Sequence, residues 1–313
     1  MINSPIDSFD FISTSSWNDY ELLDSGNGQK LERFGKFLLI RPEAEAIWKP
    51  AGSPQEWQKA DAIFQPAPEE NGGHWQFRKQ LPEEWQLTYR DLSFLVQLTN
   101  SRHVGIFPEQ ASQWDFIKES ISHEKKPVRV LNLFGYTGMA TLAAAAGGAQ
   151  VTHVDASRKA ISWARQNQAL SGLQEKPVRW IVDDALKFIQ REARRNSLYD
   201  GIILDPPKFG RGPKGEVWEF YALLPTLLEA CRQVISPEPL FILLTAYAVK
   251  ASSLTLGTAL SELMTGLEGS TRIGELVLKE KSKGRQISTA VFALWTGKTL
   301  PLIRVGDEIR GND

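Results

Sequence analysis

From about residue 109 onward, short apolar runs alternate with amphipathic stretches of helical length. The apolar runs at 128–133, 151–155, 178–182, 199–204 and 240–245 predict strands. The stretches at 111–122, 139–146, 158–171, 185–195, 218–234 and 252–265 predict helices. Alternating strands and helices are typical of a doubly wound parallel sheet. The tail breaks the alternation, because 274–281 and 287–295 predict a closing hairpin.

The first hundred residues differ, with short alternating runs separated by turn residues. The runs at 20–24, 31–41, 75–78 and 85–90 predict strands, 26–28 a turn and 66–73 an exposed loop. Five of the ten tryptophans lie here, and aromatic residues in a small β domain are more often core than binding surface. We therefore expect a small β-rich domain over residues 1–100, a candidate for substrate recognition, and an α/β domain over residues 101–313.

The most informative segment is 130–138, which reads VLNLFGYTG and leads directly into the predicted helix 139–146. A strand, a glycine turn and a helix in this order place a crevice at the carboxyl end of the strand. Twenty residues after Gly135, the next strand ends in Asp155, whose carboxylate suits two ribose hydroxyls. The spacing predicts a nucleoside-binding site.

Two further predicted strands also end in acidic residues. Asp183 and Asp184 close the third strand, and Asp205 closes the fourth and precedes Pro206 and Pro207. An acidic side chain beside proline carbonyls can accept hydrogen bonds from a nucleophilic N–H, while successive prolines fix the turn. A methyltransferase needs such a group and a dehydrogenase does not, so this motif and the closing hairpin favour methyl transfer.

Taken in order, these motifs resemble those of class I S-adenosylmethionine-dependent methyltransferases. The segment DPPKF at 205–209 makes the chain similar to bacterial large-subunit ribosomal RNA methyltransferases that carry this motif. The resemblance covers about residues 100–297. It implies a Rossmann-like α/β fold with a seven-stranded mixed sheet, S-adenosylmethionine as the cofactor, and RNA, above all ribosomal RNA, as the substrate.

The resemblance also implies which part of the cofactor each motif contacts. The glycine turn would line the methionine part, the second strand end would hold the ribose, the third the adenine, and the fourth would face the methyl group. Segment 105–110 would help cover the cofactor, although Pro108-Glu109 replaces a more usual apolar–aspartate pair. The implied cofactor residues are Phe107, Gln110, Asn132, Phe134, Gly135, Gly138, Asp155, Ala156, Ser157, Asp183, Asp184, Ala185 and Asp205.

The fourth strand end carries the expected chemistry. Methyl transfer from a sulfonium is an in-line displacement, so the protein mainly positions and desolvates the nucleophile. We expect Asp205 to orient an amine and accept its proton, with Pro206 and Pro207 completing the catalytic group. The alternative is that Asp205 only caps the turn.

The next segment, 208–215, reads KFGRGPKG and holds three cations, three glycines and no carboxylate. Cations at this position suit phosphate, and an aromatic ring can stack on a base with roughly 1–3 kcal/mol. A solvated loop, or an aromatic ring that covers the core, is the alternative. The candidate substrate residues are Lys208, Phe209, Arg211 and Lys214. A second, weaker basic patch on the closing hairpin comprises Lys279, Lys281, Lys283 and Arg285.

The position of the single cysteine bears on the methylated atom. Methylation at carbon 5 of cytosine needs a thiolate that first attacks the ring, and related enzymes place it directly after the fifth strand. In this chain that position reads Thr245-Ala246-Tyr247, and Cys231 lies within the predicted helix 218–234 among apolar neighbours. A nitrogen is therefore the expected target, and cytosine carbon 5 stays an alternative.

Composition sets limits on the function. The 313 residues, 42% hydrophobic and 23% charged, are typical of a globular protein. A net charge of −1 gives no overall attraction to nucleic acid, so RNA contacts must come from local patches. No apolar run approaches membrane-spanning length, and one cysteine and four histidines argue against a disulfide framework or a zinc site. We expect a cytoplasmic enzyme without metal, and both monomer and homodimer stay open.

Two other functions remain as hypotheses. One is methylation of a protein side chain or a small amine on the same scaffold. The other is a cofactor-dependent RNA-binding module without catalysis, against which the Asp205-Pro206-Pro207 motif argues. Only the cationic segment and the resemblance argue against the first.

Overall fold

The structure is a computed structural model that describes Ile6 and residues 8–14, 16–67 and 72–297. The chain folds into two compact units. As far as their residues are described, the first comprises Met1–Ile12, Ser112–Leu276 and Ala290–Asp313, and the second Ser13–Ala111 and Val277–Thr289. The boundary after the β-rich region therefore falls near residue 111, whereas the sequence led us to expect it near residue 100. The tip of the closing hairpin belongs to the second unit.

Strands predominate in the first hundred residues and alternate with helices through most of the rest. In chain order, the strands are β1 Ser8–Ser13, β2 Tyr20–Gly26, β3 Gln29–Phe34, β4 Phe37–Pro42, β5 Ala62–Pro66, β6 Gly73–Phe77, β7 Glu84–Tyr89, β8 Leu92–Gln97, β9 Arg129–Leu133, β10 Gln150–Asp155, β11 Val178–Val182, β12 Gly201–Leu204, β13 Phe209–Arg211, β14 Val217–Glu219, β15 Phe241–Ala246, β16 Gly269–Lys279 and β17 Gln286–Gly297. The helices are α1 Pro54–Trp57, α2 Ala111–Ser122, α3 Met139–Ala146, α4 Arg158–Leu170, α5 Ala185–Arg194, α6 Phe220–Val234 and α7 Ser253–Leu263, with a 3₁₀ turn at Pro108–Gln110.

The first unit is built on a mixed sheet with the strand order β1-β16-β17-β15-β12-β9-β10-β11. The five strands from β11 to β15 in this order are parallel, and β17 is antiparallel to β15. The carboxyl ends of the parallel strands therefore share one edge, where open α/β sheets bind ligands. The predicted Rossmann-like fold is confirmed.

The predicted number of seven strands is wrong by one, because β1 adds an eighth strand at the edge of the described sheet. The Asp10 carboxylate of β1 pairs with the Arg272 guanidinium of β16 at 2.9 Å, and both side chains are largely buried. Phe9 and Phe11 on the same strand are exposed. The short run SFDFIS at residues 8–13 was not among the strands predicted from the sequence.

The core lies on both faces of the central strands. Every residue of β15 and β12 is buried, as expected for strands covered by helices on two sides. Gly172 takes a φ of 66° just after α4 and ends that helix, as predicted. Within the described ranges, no helix is both long and apolar enough to cross a membrane.

Two predicted elements were wrong in their extent. The run 31–41 is divided into β3 and β4 by a turn at Gly35, whose φ of 63° favours glycine. The helix α6 begins at Phe220 instead of residue 218, because Trp218 lies on β14 and pairs there with Gly210 of β13. The predicted loop 66–73 lies partly outside the described residues, which omit 68–71.

The second unit contains a five-stranded sheet, β2-β3-β4-β5-β6, and the separate pair β7-β8. The indole groups of Trp17, Trp75 and Trp85 donate hydrogen bonds to backbone carbonyl oxygens within this unit. These hydrogen bonds support the expectation that the tryptophans have a structural role. The three indole groups connect strands and loops of the unit to one another.

Two of the four cations in the predicted second basic patch have carboxylate partners. Arg285 forms ion pairs with Glu280 and Asp24, and the Lys281 ammonium lies 3.1 Å from a carboxylate oxygen of Glu21. All of these residues belong to the second unit. These two cations of the hairpin are therefore neutralised within their own unit.

A buried ion pair forms the polar centre of the second unit. The Glu32 carboxylate accepts hydrogen bonds from the Arg41 guanidinium at 2.6 and 2.7 Å and from the Tyr20 hydroxyl at 2.8 Å. Neither charged side chain has more than slight contact with solvent. Removing one partner would leave a buried, uncompensated charge.

We expect Arg41→Met to lower the free energy of unfolding by about 3–5 kcal/mol, because Glu32 would stay buried without its cation. Lys281→Met is the matched control, since it removes an exposed ion pair of the same unit and should cost about 0–1 kcal/mol. Urea unfolding of both variants measures the difference. Equal losses would show that the Glu32–Arg41 pair is no more important than a surface pair.

Candidate active site

The turn after β9 runs from Phe134 to Gly138 and leads into α3. Phe134, Tyr136 and Gly138 have positive φ angles of 60°, 49° and 89°. For a residue with a side chain, this conformation costs of order 1–3 kcal/mol, so neighbouring contacts must hold Phe134 and Tyr136 in place. The Gly135 amide donates to the Val154 carbonyl at 3.1 Å, which ties the turn to β10.

Gly135 and Gly138 are glycines for different reasons. Gly135 has no positive φ, but a Cβ atom there would overlap the imidazole ring of His153. Gly138 has a positive φ, and a Cβ atom there would lie 2.9 Å from the Cβ atom of Ala164. Both glycines therefore bring the backbone of the turn close to neighbouring groups.

Asp155 closes β10 and holds the turn from below. Its Oδ2 accepts a hydrogen bond from the Tyr136 amide at 2.9 Å, and its Oδ1 accepts one from the Ser157 amide at 2.8 Å. Burial raises the pKa of Asp155, while the two amide hydrogen bonds oppose that rise. A carboxylate oxygen can accept more than one hydrogen bond, so Asp155 can bind two ribose hydroxyls without releasing the turn.

The acids of the third strand end also have structural partners. Asp184 is the N-cap of α5, and its Oδ1 accepts from the Lys187 amide at 2.9 Å. Asp183 accepts from the Asp184 amide at 2.9 Å and pairs with Arg191. A contact with adenine stays a prediction, and it would share these carboxylates with α5.

The fourth strand end joins the glycine turn through a tryptophan. The Trp218 indole N–H donates to the Pro207 carbonyl at 2.7 Å, and its ring centroid lies 4.9 Å from that of Phe134. Asp205 is half-buried and Pro206 is buried. Sequence reasoning missed Trp218, because it placed this residue in a helix. The only available signal was an aromatic residue shortly after the DPPKF motif.

The segment predicted as the loop 208–215 forms most of a β-hairpin, in which β13 pairs with β14. Phe209 is 56% exposed, and the Arg211 guanidinium lies 5.9 Å from the centre of its ring. The side chains of Lys208 and Lys214 are exposed. The four candidate substrate residues therefore lie on one exposed hairpin that begins next to Asp205-Pro206-Pro207.

Glu216 holds the tip of this hairpin. Its carboxylate accepts from the Lys214 amide at 2.9 Å and pairs with Lys187 of α5 at 2.7 Å. The hydrogen bond from Lys187 and those from the backbone lower the pKa of Glu216 to about 2. Segment 208–215 itself has no carboxylate, but Glu216 follows it directly. The Glu216 carboxylate neutralises Lys187 of the neighbouring helix α5.

The remaining candidate residues occupy varied positions. Asn132 is 2% exposed, and its amide donates to the Thr141 hydroxyl at 2.9 Å, so its side chain supports the turn from inside. Ser157 caps α4 through its hydroxyl. Ala156 follows Asp155 directly, and Ala185 is buried in the first turn of α5. Direct contacts of these four residues with a cofactor stay predictions.

Phe107 and Gln110 lie on the 3₁₀ turn of the second unit. The Gln110 amide donates to the Phe107 carbonyl at 3.0 Å, and the Phe107 ring packs against His103 with a centroid separation of 5.0 Å. Both residues are half-buried. Their role in covering a cofactor stays a prediction.

The site suits S-adenosylmethionine. Gly135 and Gly138 let the backbone of the turn lie against His153 and Ala164, and Asp155 holds that turn while keeping further acceptor capacity. Among the residues that the structure describes, no group of three or more histidine, cysteine, aspartate and glutamate side chains is placed to hold a metal ion. The strand order, with one antiparallel strand next to the fifth parallel one, and the acids at the strand ends define the class I methyltransferase fold.

Comparison with known proteins supports the assignment of this fold to a methyltransferase. Residues 67–233 match the family of S-adenosylmethionine-dependent methyltransferases. The crystal structure of the S-adenosylmethionine-dependent methyltransferase from Agrobacterium tumefaciens is 46% identical, covers 94% of this chain and 96% of its own, and has a TM-score of 0.89. A putative methyltransferase solved in complex with SAH is 19% identical, covers 90% and 76% of the two chains, and shares the fold with a TM-score of 0.69.

A curated relative, the ribosomal RNA large subunit methyltransferase K/L of Shewanella baltica, is 39% identical over 124 residues. The matched part is 39% of this chain but only 16% of that relative, so the chain spans a small part of its length. Together, the family match and the Agrobacterium structure show that this chain belongs to the S-adenosylmethionine-dependent methyltransferases. It is an enzyme of that family and uses that cofactor.

We expect Asp155→Asn to weaken S-adenosylmethionine binding roughly tenfold or more, because hydrogen bonds to a charged acceptor contribute about 1.5–3 kcal/mol. Asp200→Asn is the matched control, since its carboxylate also accepts a backbone amide, that of Arg129, at the other end of β9. Isothermal titration calorimetry of the folded variants checks this. Equal affinities for Asp155→Asn and the unchanged protein would remove Asp155 from the site.

The raised pKa of Asp155 also predicts a pH dependence. Binding uses the charged carboxylate, so affinity should fall by up to roughly tenfold per pH unit as the pH drops through this pKa. Because the pKa is raised, the fall begins at a higher pH than for an ordinary aspartate. Titrations from neutral pH downward should show it in the unchanged protein and not in Asp155→Asn. A parallel fall in both proteins would assign the dependence to another group.

Proposed function

We propose that this enzyme methylates a nitrogen of an RNA base, with ribosomal RNA as the first candidate. The observation that carries the proposal is the exposed hairpin of Phe209 and Arg211, which begins at the Asp205-Pro206-Pro207 strand end. A stacked aromatic–cation pair suits a base, and the nearby lysines suit phosphate. The name of the Shewanella relative supports ribosomal RNA. A cytoplasmic location and the oligomeric state stay predictions.

In this mechanism the chain positions the nucleophile and receives its proton. The cofactor supplies an activated methyl group on a sulfonium. Asp205 accepts a hydrogen bond from the target N–H and takes the proton during or after transfer, while Pro206 and Pro207 fix the turn. Phe209 stacks on the target base, and Lys208, Arg211 and Lys214 contact the phosphates around it. Trp218 keeps the hairpin aligned with the glycine turn through Pro207 and Phe134.

The setting of Cys231 supports nitrogen over cytosine carbon 5. Cys231 lies on α6 with no exposed surface, as predicted, and burial raises the pKa of its thiol. A thiolate is therefore disfavoured there. The strand β15 ends at Ala246, where the cysteine of the related cytosine-5 enzymes would be expected.

The proposal is tested by nucleoside mass spectrometry of RNA from cells with and without this gene, followed by transfer of labelled methyl to RNA from the deficient cells. We expect one N-methylated nucleoside to be lost from the deficient cells and restored by the purified enzyme. Label that enters protein or a small amine, with RNA unchanged, would favour the side-chain alternative. A lost 5-methylcytidine would restore the carbon-5 alternative.

We expect Asp205→Ala to bind S-adenosylmethionine with unchanged affinity and to lose turnover by about a hundredfold or more, as for removal of a general base. Calorimetry and label transfer to the deficient RNA measure the two effects, and Asp200→Asn serves as the folded control. Native turnover in Asp205→Ala would reduce this residue to a turn cap.

We expect Cys231→Ser to transfer methyl groups at the native rate per folded molecule, although its buried hydroxyl lowers stability by roughly 1–3 kcal/mol. The rate is normalised to the folded fraction by circular dichroism. A covalent adduct between the unchanged protein and 5-fluorocytosine-containing RNA, absent from Cys231→Ser, would contradict this prediction.

A further inference from the structure

A buried polar row runs beneath the glycine turn. Strand register places Asn132 of β9 opposite His153 of β10, and His153 opposite Trp180 of β11. Residues paired in this way point to the same face of the sheet. The His153 ring has no exposed surface, and its centroid lies 4.6 Å from that of Trp180.

Thr141 of α3 connects this row to the helix that follows the turn. Its hydroxyl oxygen accepts from the Asn132 amide at 2.9 Å and lies 2.8 Å from Nδ1 of His153. Burial lowers the pKa of His153 to about 3, so its ring is neutral under ordinary conditions. The Thr141 hydroxyl also shares a hydrogen bond with Nδ1, in which the donor depends on the tautomer of the His153 ring. Hydrogen bonds at the Thr141 hydroxyl therefore connect the three side chains.

The Cε1 side of the His153 ring, next to Nδ1, lies nearest the backbone of the turn. A Cβ atom on Gly135 would overlap this ring, although the φ of Gly135 is one that any residue adopts. The ring therefore occupies the space directly below the Gly135 backbone. The residues on either side, Phe134 and Tyr136, take positive φ angles, and the Tyr136 amide points at Asp155.

We propose that His153, held by Thr141 and Asn132, is a positioning residue that supports the cofactor-binding turn and aims the Tyr136 amide at Asp155. It acts through the backbone of Gly135 and Tyr136. This role concerns binding of S-adenosylmethionine and does not depend on the proposed RNA substrate. If RNA proved not to be the substrate, the proposed role of His153 would still hold.

The test measures S-adenosylmethionine affinity of the full chain by calorimetry, with thermal unfolding followed separately. We expect Thr141→Val to weaken binding at least fivefold, because the nearly isosteric side chain no longer orients His153. Thr141→Ser, which keeps the hydroxyl, should bind within twofold of the unchanged protein. A merely structural role would not require rescue by the hydroxyl.

Thr152→Val is the matched control. Thr152 lies on β10 next to His153, is also buried, and hydrogen-bonds to Tyr199 on the opposite face of the sheet. Its loss should lower the unfolding temperature while leaving the affinity within twofold. If Thr141→Val and Thr152→Val affect affinity equally, or if Thr141→Ser binds as poorly as Thr141→Val, the proposal is overturned.

A second set of variants tests the proposal without changing Thr141. Gly135→Ala should weaken binding at least tenfold by pressing on the His153 ring, and His153→Ala should weaken it about fivefold. Because removal of the ring makes room for the new methyl group, the double variant should bind no more weakly than Gly135→Ala. Losses that multiply would show that the two positions act independently and would overturn the proposal.

Discussion

The close approach of the Gly135 backbone to the His153 ring is the constraint on which the site depends. It excludes a side chain at residue 135, and positive φ angles occur at Phe134 and Tyr136 beside it. The strain at Tyr136 is offset by a hydrogen bond from its amide to Asp155. The contact with His153 thus goes together with an unusual turn conformation and with a carboxylate that is oriented by the turn.

The acids at three of the strand ends have structural partners within the protein. Asp155 holds the turn, Asp184 caps α5, and Asp183 binds Arg191. Such groups are already ordered before any ligand arrives, so binding does not have to restrict them further. The same principle extends to the substrate side. There Trp218 connects the Pro207 carbonyl to the Phe134 ring and gives the hairpin a fixed base.

The chain as a whole is nearly neutral, and two cations of the closing hairpin, Lys281 and Arg285, are paired with carboxylates within the second unit. The hairpin after the fourth strand keeps exposed side chains of Lys208 and Lys214. Under the proposed function, these lysines would contact a phosphate backbone at short range, without a strong field over the whole molecule.

The order of strands and helices, the glycine turn and the acids at the strand ends could be read from the sequence, because hydrophobic periodicity and glycine positions are local properties. The family match and the related structures bear out the cofactor and the fold that these patterns predicted. Other features depended on contacts between distant segments. The strand β1 lies beside β16, where Asp10 pairs with Arg272, and the pairing of Trp218 with Gly210 turned a predicted loop into a hairpin. The reason for glycine at residue 135 was also hidden, since it lies in a ring eighteen residues away that only the sheet register brings beneath it.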